Sequence, residues 1–215
     1  MVCPTTGEYG HFKPRSVFQE VLASALAKEV NVPVPAVTLG ICEDTTGAIS
    51  RAWGPKSMDA RELRVVSPQA YASEAFKSAT RAASGLLPFH AWTGTGDHKD
   101  DHLVIRPGPG PDTYEVGGVD FADAFSFDGT GGGVTIPSGN VLAATPEYRD
   151  PKVISDTIAR IAALPDERIR ALVAELPEGL LTAVDKARIT QGLIARKARI
   201  ERVFRDAGWL PNDGG

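Results

Sequence analysis

From Phe18 the chain places apolar residues at Val21, Leu22, Ala25, Leu26 and Val30, a spacing that predicts a helix with one apolar stripe. Just ahead of it, Ser16-x-x-Gln19 has the form of a capping box, where a hydroxyl and an amide satisfy backbone donors at a helix start. His11-Phe12-Lys13 reads as a short strand leading into this helix, and Asn31-Val32-Pro33-Val34-Pro35 stops it. Val37 to Ile41 and Ala48 to Trp53 predict two strands joined by the turn-rich Glu43 to Gly47. The polar stretch 54–67 reads as a connector, Ala70 to Ser84 as a helix, and Leu86 to Trp92 as an apolar approach to a polar turn. Short strands follow at Leu103-Val104-Ile105 and at Tyr114 to Val119, separated by a Gly/Pro-rich hairpin. From Asp150 onward the pattern is helical: Val153 to Leu164, Asp166 to Leu176, and one long helix from about Leu180 to Ala207.

A chain of 215 residues can bury a substantial core as one domain or as two lobes around one cleft. The order of elements is a small mixed lobe, a strand pair, then an all-helical end. Net charge is −4, which argues against general nucleic-acid binding. No apolar run approaches the roughly 18 residues needed to span a bilayer, and the first residues lack the basic and apolar regions of a signal peptide. Cys3 and Cys42 are too few for a disulfide framework and suit a reduced, cytoplasmic protein. Cys3, near the start and without a nearby His, reads as an inert rather than a reactive thiol.

The densest chemistry lies in Gly94-Thr95-Gly96-Asp97-His98-Lys99-Asp100-Asp101-His102, followed after the hairpin by Val119-Asp120-Phe121-Ala122. Carboxylates at the ends of two adjacent strands suit gripping Mg²⁺ and orienting a hydroxyl beside a nucleotide phosphate. Asp97 sits in a turn beside glycine, where the backbone can approach a ligand closely. Lys13 at a strand end, facing Glu20 on the next helix, is the arrangement that clamps nucleotide phosphates, although each equally suits a solvated surface residue. His98, Asp100, Asp101 and His102 also offer imidazole and carboxylate ligands for Zn²⁺ or Mn²⁺, but consecutive residues of one turn seldom converge on one ion. Gly129 to Gly133 lacks the Lys-Ser/Thr of a Walker loop and reads as a mobile loop beside the cleft or a plain linker. The basic residues of the last helix, Arg196 and Lys197 among them, can steer an acidic partner or form a solvated face.

Taken in this order, the segments resemble the HipA-like kinases and, more distantly, the phosphatidylinositol-kinase-like fold. That family has a strand lysine, a helix opening with Asn-Glu and a segment like Gly-Val-Pro-Val-Pro. This chain has Phe12-Lys13-Pro14, Gln19-Glu20 and Val30-Asn31-Val32-Pro33-Val34-Pro35. The family's catalytic Asn-x-Asp-Arg-x-x-x-Asn is matched by Thr95-Gly96-Asp97-His98 through His102, and its metal-binding Ile-Asp-Phe/His-Gly by Val119-Asp120-Phe121-Ala122. The resemblance runs from about Gly7 to Phe204.

It implies an α+β, two-lobed fold, with a reduced N-terminal nucleotide-binding lobe (residues 1–54) and a mostly helical C-terminal catalytic lobe (55–215). It further implies an ATP- and Mg²⁺-dependent phosphotransferase acting on a hydroxyl, commonly a Ser or Thr of a protein or peptide. Asp97 would be the catalytic aspartate, with Lys13 on the ATP phosphates and Glu20 as its partner. Trp53 and Gly54 would meet the adenine. Asp120 would hold the metal, with His102 standing where the family has its second metal ligand, Asn. An imidazole suits Mg²⁺ poorly, and the strands that usually cover the phosphates are cut to Pro4 to Gly10. Those two departures keep open a second reading: a pseudokinase that binds a partner protein or peptide, or needs a partner to complete its cleft.

Overall fold

The computed structural model describes residues 10–42, 44–51, 57–127 and 133–210. Lys13 ends strand β1 (Gly10–Lys13), and helix α1 (Val17–Glu29) follows at once, with Leu22, Ala23, Leu26 and Ala27 buried. The expected capping box is absent. Ser16 has φ 54°, in the left-handed region, and its hydroxyl caps nothing, so the chain enters α1 through a strained corner instead. Strands β2 (Val37–Cys42) and β3 (Thr45–Arg51) join β1 in an antiparallel sheet ordered β1-β3-β2, with Lys13 opposite Ala48 and Val37 opposite Ser50. The hairpin is tighter than the sequence predicts, because Thr45 to Gly47 are already strand. Strand alternation puts Lys13, His11, Ala48, Ser50 and Val37 on one face of this sheet.

The described part of the stretch expected to be a connector, residues 57–67, is structured. Strand β4 (Met58–Asp59) pairs with β5 (Leu103–Pro107), which pairs with β6 (Tyr114–Gly118), all antiparallel. Asp59 then caps helix α2 (Ala60–Val66) by accepting the Glu62 N–H at 2.7 Å. The expected helix over 70–84 is two: α3 (Pro68–Tyr71) and α4 (Glu74–Ala82). Ser73 separates them, its hydroxyl donating to the Ala70 carbonyl (2.6 Å) and accepting from the Phe76 N–H (3.2 Å), a local alternative to continuous helix.

Helix α5 (Leu86–Thr93) is buried on every side, which is why its run of apolar residues shows no helical periodicity. It is the centre of the core, with Leu86, Leu87, Phe89 and Trp92 fully enclosed alongside Phe76, Phe121 and Phe204. Short helix α6 (Val141–Ala144) leads to α7 (Pro151–Ala163) and α8 (Asp166–Ala174). The long terminal helix divides into α9 (Ala183–Lys197) and α10 (Ile200–Asp206). A genuine capping box opens α9, where the Thr182 hydroxyl and the Asp185 carboxylate satisfy each other's backbone N–H groups. No helix among the described residues is long and apolar enough to cross a membrane.

Candidate functional site

A cleft of about 840 Å³ opens between the cleft-facing side of the β1-β3-β2 sheet and the ends of β5 and β6. On its wall the Lys13 ammonium lies 2.8 Å from Glu20 Oε1 and 3.1 Å from Asp120 Oδ1, joining β1, α1 and the loop after β6. Burial pulls the Lys13 pKa down, but Glu20 and Asp120 outweigh it and hold the ammonium above its ordinary value. Glu20 is 5% exposed, and the same Oε1 accepts the Phe121 backbone N–H at 3.2 Å. A buried carboxylate is tolerable only with such partners. The expected alternative of Glu20 as a solvated residue is therefore not what the fold adopts.

Asp120 has φ 64°. A non-glycine residue there costs on the order of 1 kcal/mol and persists where surrounding structure imposes it. The imposing contacts are the Val119 N–H donated to the His102 carbonyl (2.9 Å) and the Phe121 N–H donated to Glu20. The twist turns the Asp120 side chain into the cleft between Lys13 and His102 Nε2, the latter 3.9 Å from Oδ2.

The turn before β5 is held just as closely. Helix α5 ends on Gly94 at φ 73°, a left-handed closure natural to glycine. Arg196 of α9 is buried and donates to the Ala91 and Trp92 carbonyls at this helix end and to the Gly133 carbonyl, so those helix-end acceptors have a partner. The sequence marked Arg196 as part of a basic surface; it is a structural clamp. Beyond Gly94, Asp97 is exposed and its Oδ2 accepts from Lys99 Nζ at 2.7 Å, a contact that holds the Asp97 carboxyl below its usual range. His102 Nδ1 lies 3.1 Å from the Asp97 carbonyl. A carbonyl only accepts, so Nδ1 is the donor in this contact, and Nε2 faces Asp101 Oδ1 (3.7 Å) and Asp120.

Lys13, Glu20, Asp120 and His102 thus meet in one cleft, and His102 ties the Asp97 turn to it. The Zn²⁺ or Mn²⁺ alternative does not assemble. His98 turns inward against His90, with ring centroids 4.6 Å apart. Asp100 accepts the Val141 N–H at 2.8 Å and pairs with Arg64 at 3.3 Å. Among the described residues no three His, Cys, Asp or Glu side chains are placed to hold a metal by themselves. Trp53, Gly54, Cys3 and Gly129 to Gly132 lie outside the described residues. Sequence reasoning missed Asp123, whose Oδ2 accepts the backbone N–H groups of Gly96 (2.7 Å) and Asp97 (2.8 Å). No local motif marks it, since its partners are 26 and 27 residues away.

No family model and no curated protein matches the chain. Solved structures do. The Helicobacter pylori proinflammatory kinase CtkA is similar over 96% of this chain and 95% of its own, with a TM-score of 0.69 at 10% identity. A chain of the Shewanella oneidensis MR-1 toxin–antitoxin complex of HipA, HipB and operator DNA is similar over 93% of this chain and 59% of its own, with a TM-score of 0.50 at 15% identity. At these identities the likeness speaks for the fold. With the strand lysine, the helix glutamate and the two aspartate loops arranged as described, the chain has the two-lobed α+β fold of a HipA-like kinase.

Proposed function

We propose that the chain is an ATP- and Mg²⁺-dependent phosphotransferase whose acceptor is a hydroxyl, that of a Ser or Thr in a protein or peptide. The observation that carries this reading is Lys13 bridging Glu20 and Asp120 in a cleft that His102 also lines, with the Asp97 carbonyl bonded to the His102 ring. Lys13 is placed to bind phosphate oxygens, with Glu20 fixing the ammonium from behind. Asp97, its carboxyl held below the usual range by Lys99, is a weak base at neutral pH. Its part is to orient the acceptor hydroxyl, which suits a reaction catalysed mainly by positioning and charge neutralisation.

The donor set fits Mg²⁺ bound jointly with phosphates, which needs only one or two protein carboxylates. Asp120 faces the cleft, and Asp101 Oδ1 is buried without a hydrogen-bond partner. When bound, the ion would neutralise phosphate charge in a cleft whose lining includes the carboxylates of Glu20, Asp59, Glu62, Asp101 and Asp120. Asp120 would hold it, with His102 or Asp101 beside it.

The test is thermal stability with ATP and Mg²⁺, combined with phosphoryl transfer to protein acceptors. Ligand at a hundred times its dissociation constant adds about 2.7 kcal/mol and raises the melting midpoint by several degrees. Asp120→Ala is expected to lose both the Mg²⁺-dependent shift and transfer, and Asp97→Ala to lose transfer alone. Absence of any shift at millimolar ATP would refute the kinase reading. The imidazole at position 102 would then favour a binding module with a degenerate kinase fold.

A further inference from the structure

The turn carrying Asp97 is fixed from both sides of its α-carbon, and the two fixtures have different sources. His102 takes the Asp97 carbonyl from within the same loop. Asp123 takes the Asp97 N–H from the other loop, and takes the Gly96 N–H with the same oxygen. Two successive backbone N–H groups converging on one carboxylate oxygen form a small anion-binding nest, and charge-assisted bonds of this kind are stronger than neutral ones. The fit is close: a Cβ at residue 96 would stand 3.2 Å from Asp123 Oδ2.

Asp123 lies three residues after Asp120 in a segment stitched to the Asp97 turn along its whole length. The Val119 N–H reaches the His102 carbonyl at 2.9 Å, Asp123 holds the Gly96 and Asp97 amides, and the Phe125 N–H reaches the Thr93 carbonyl at 2.8 Å. Phe125 has φ 64°, as Asp120 does, so both ends of the segment are bent to make these contacts. The middle fixture is the one made by a side chain, and it bears directly on the residue assigned to orient the acceptor.

We infer that Asp123 is a positioning residue: it sets the Asp97 carboxylate relative to Asp120, so that hydroxyl and phosphate are presented in register. The inference rests on the kinase reading for its catalytic consequence and on geometry alone for its structural one. Asp123→Asn keeps an oxygen that can accept both N–H groups. Asp123→Ala removes it and frees the turn. A misplacement of order 1 Å in a positioning mechanism costs about 100-fold in rate.

The experiment measures amide hydrogen exchange at Gly96 and Asp97, the melting shift with ATP and Mg²⁺, and the phosphoryl-transfer rate, for the wild type and both variants. Asp123→Ala is expected to exchange faster at those two amides, to keep the nucleotide shift and KM for ATP, and to lose about 100-fold in kcat. Asp123→Asn is expected to restore both protection and rate. Unchanged exchange in Asp123→Ala would overturn the inference, as would faster exchange with wild-type kcat. If Asp123→Ala fails to fold, Asp123→Ser, whose shorter side chain draws the acceptor oxygen back from the two amides, makes the same test. A wild type that transfers no phosphate defeats the kinase reading instead, and the exchange measurement still decides whether Asp123 holds the turn.

Discussion

Removing the Glu20 carboxylate tests the centre of the site without reference to activity. In Glu20→Ala two partners are released. The buried Phe121 N–H loses its acceptor, which costs about 1–3 kcal/mol. Lys13 keeps Asp120 at 3.1 Å and its side chain is 35% exposed, so losing Glu20 costs it only about 0.5–1 kcal/mol. The sum is about 1.5–4 kcal/mol, or a fall of roughly 3–16 °C in the melting midpoint for a chain of this size. Glu20→Gln retains an oxygen for the Phe121 N–H and forfeits only the charge, so its cost is about 0.5–1 kcal/mol. Thermal unfolding followed by circular dichroism at pH 7 reads both. A Glu20→Ala variant melting with the wild type would mean that Glu20 does not carry the Phe121 amide. Equal losses in Ala and Gln would place the stabilisation in the charge and refute the division made here.

Asp120→Gly is expected to be more stable than Asp120→Ala by about 1 kcal/mol, because glycine tolerates φ 64° and alanine does not; equal chemical-denaturation midpoints would contradict the strain. His90 and His98 are both held below the ordinary histidine range, first by burial, and for His90 also by its two neighbouring imidazoles. The unfolded chain therefore binds more protons below about pH 6.5, so stability is full above that pH and falls as pH drops, by up to about 1.4 kcal/mol per unit for each histidine. His90→Gln should flatten that slope in urea titrations between pH 6.5 and 5, and an unaltered slope would remove His90 from the account. Gly47→Ala sets a Cβ 2.3 Å from the Phe12 ring and 2.8 Å from the Lys13 carbonyl. It is expected to cost about 1–3 kcal/mol and to weaken nucleotide binding through Lys13; a wild-type melting curve would show that β1 can shift freely.

Local chemistry sufficed wherever an element answers to its own residues. Helix α1, the strand ending on Lys13, the strand that leads to Asp120, and the polar turn around Asp97 follow from apolar spacing, prolines and glycines read in order. Where several residues compete to end or begin an element, the pattern misled. Ser16 has the spacing of a cap and adopts φ 54°, while Asp59 and Thr182, among others, do cap. The apolar positions Ile189, Leu193, Ile200 and Phe204 keep helical phase across the break between α9 and α10, so no local signal marks that break.

The sequence alone determined which side chains could do phosphate chemistry, because carboxylate, ammonium and imidazole at strand ends carry that information in their types and short spacings. Tertiary structure decided which of them meet. It sent His98 and Asp100 to other partners, aimed Asp120 at Lys13 through a left-handed backbone, and recruited Arg196 and Asp123 from distant segments. The reason is physical: a buried or bent backbone must have every donor and acceptor satisfied, and the group that satisfies it can come from anywhere in the chain.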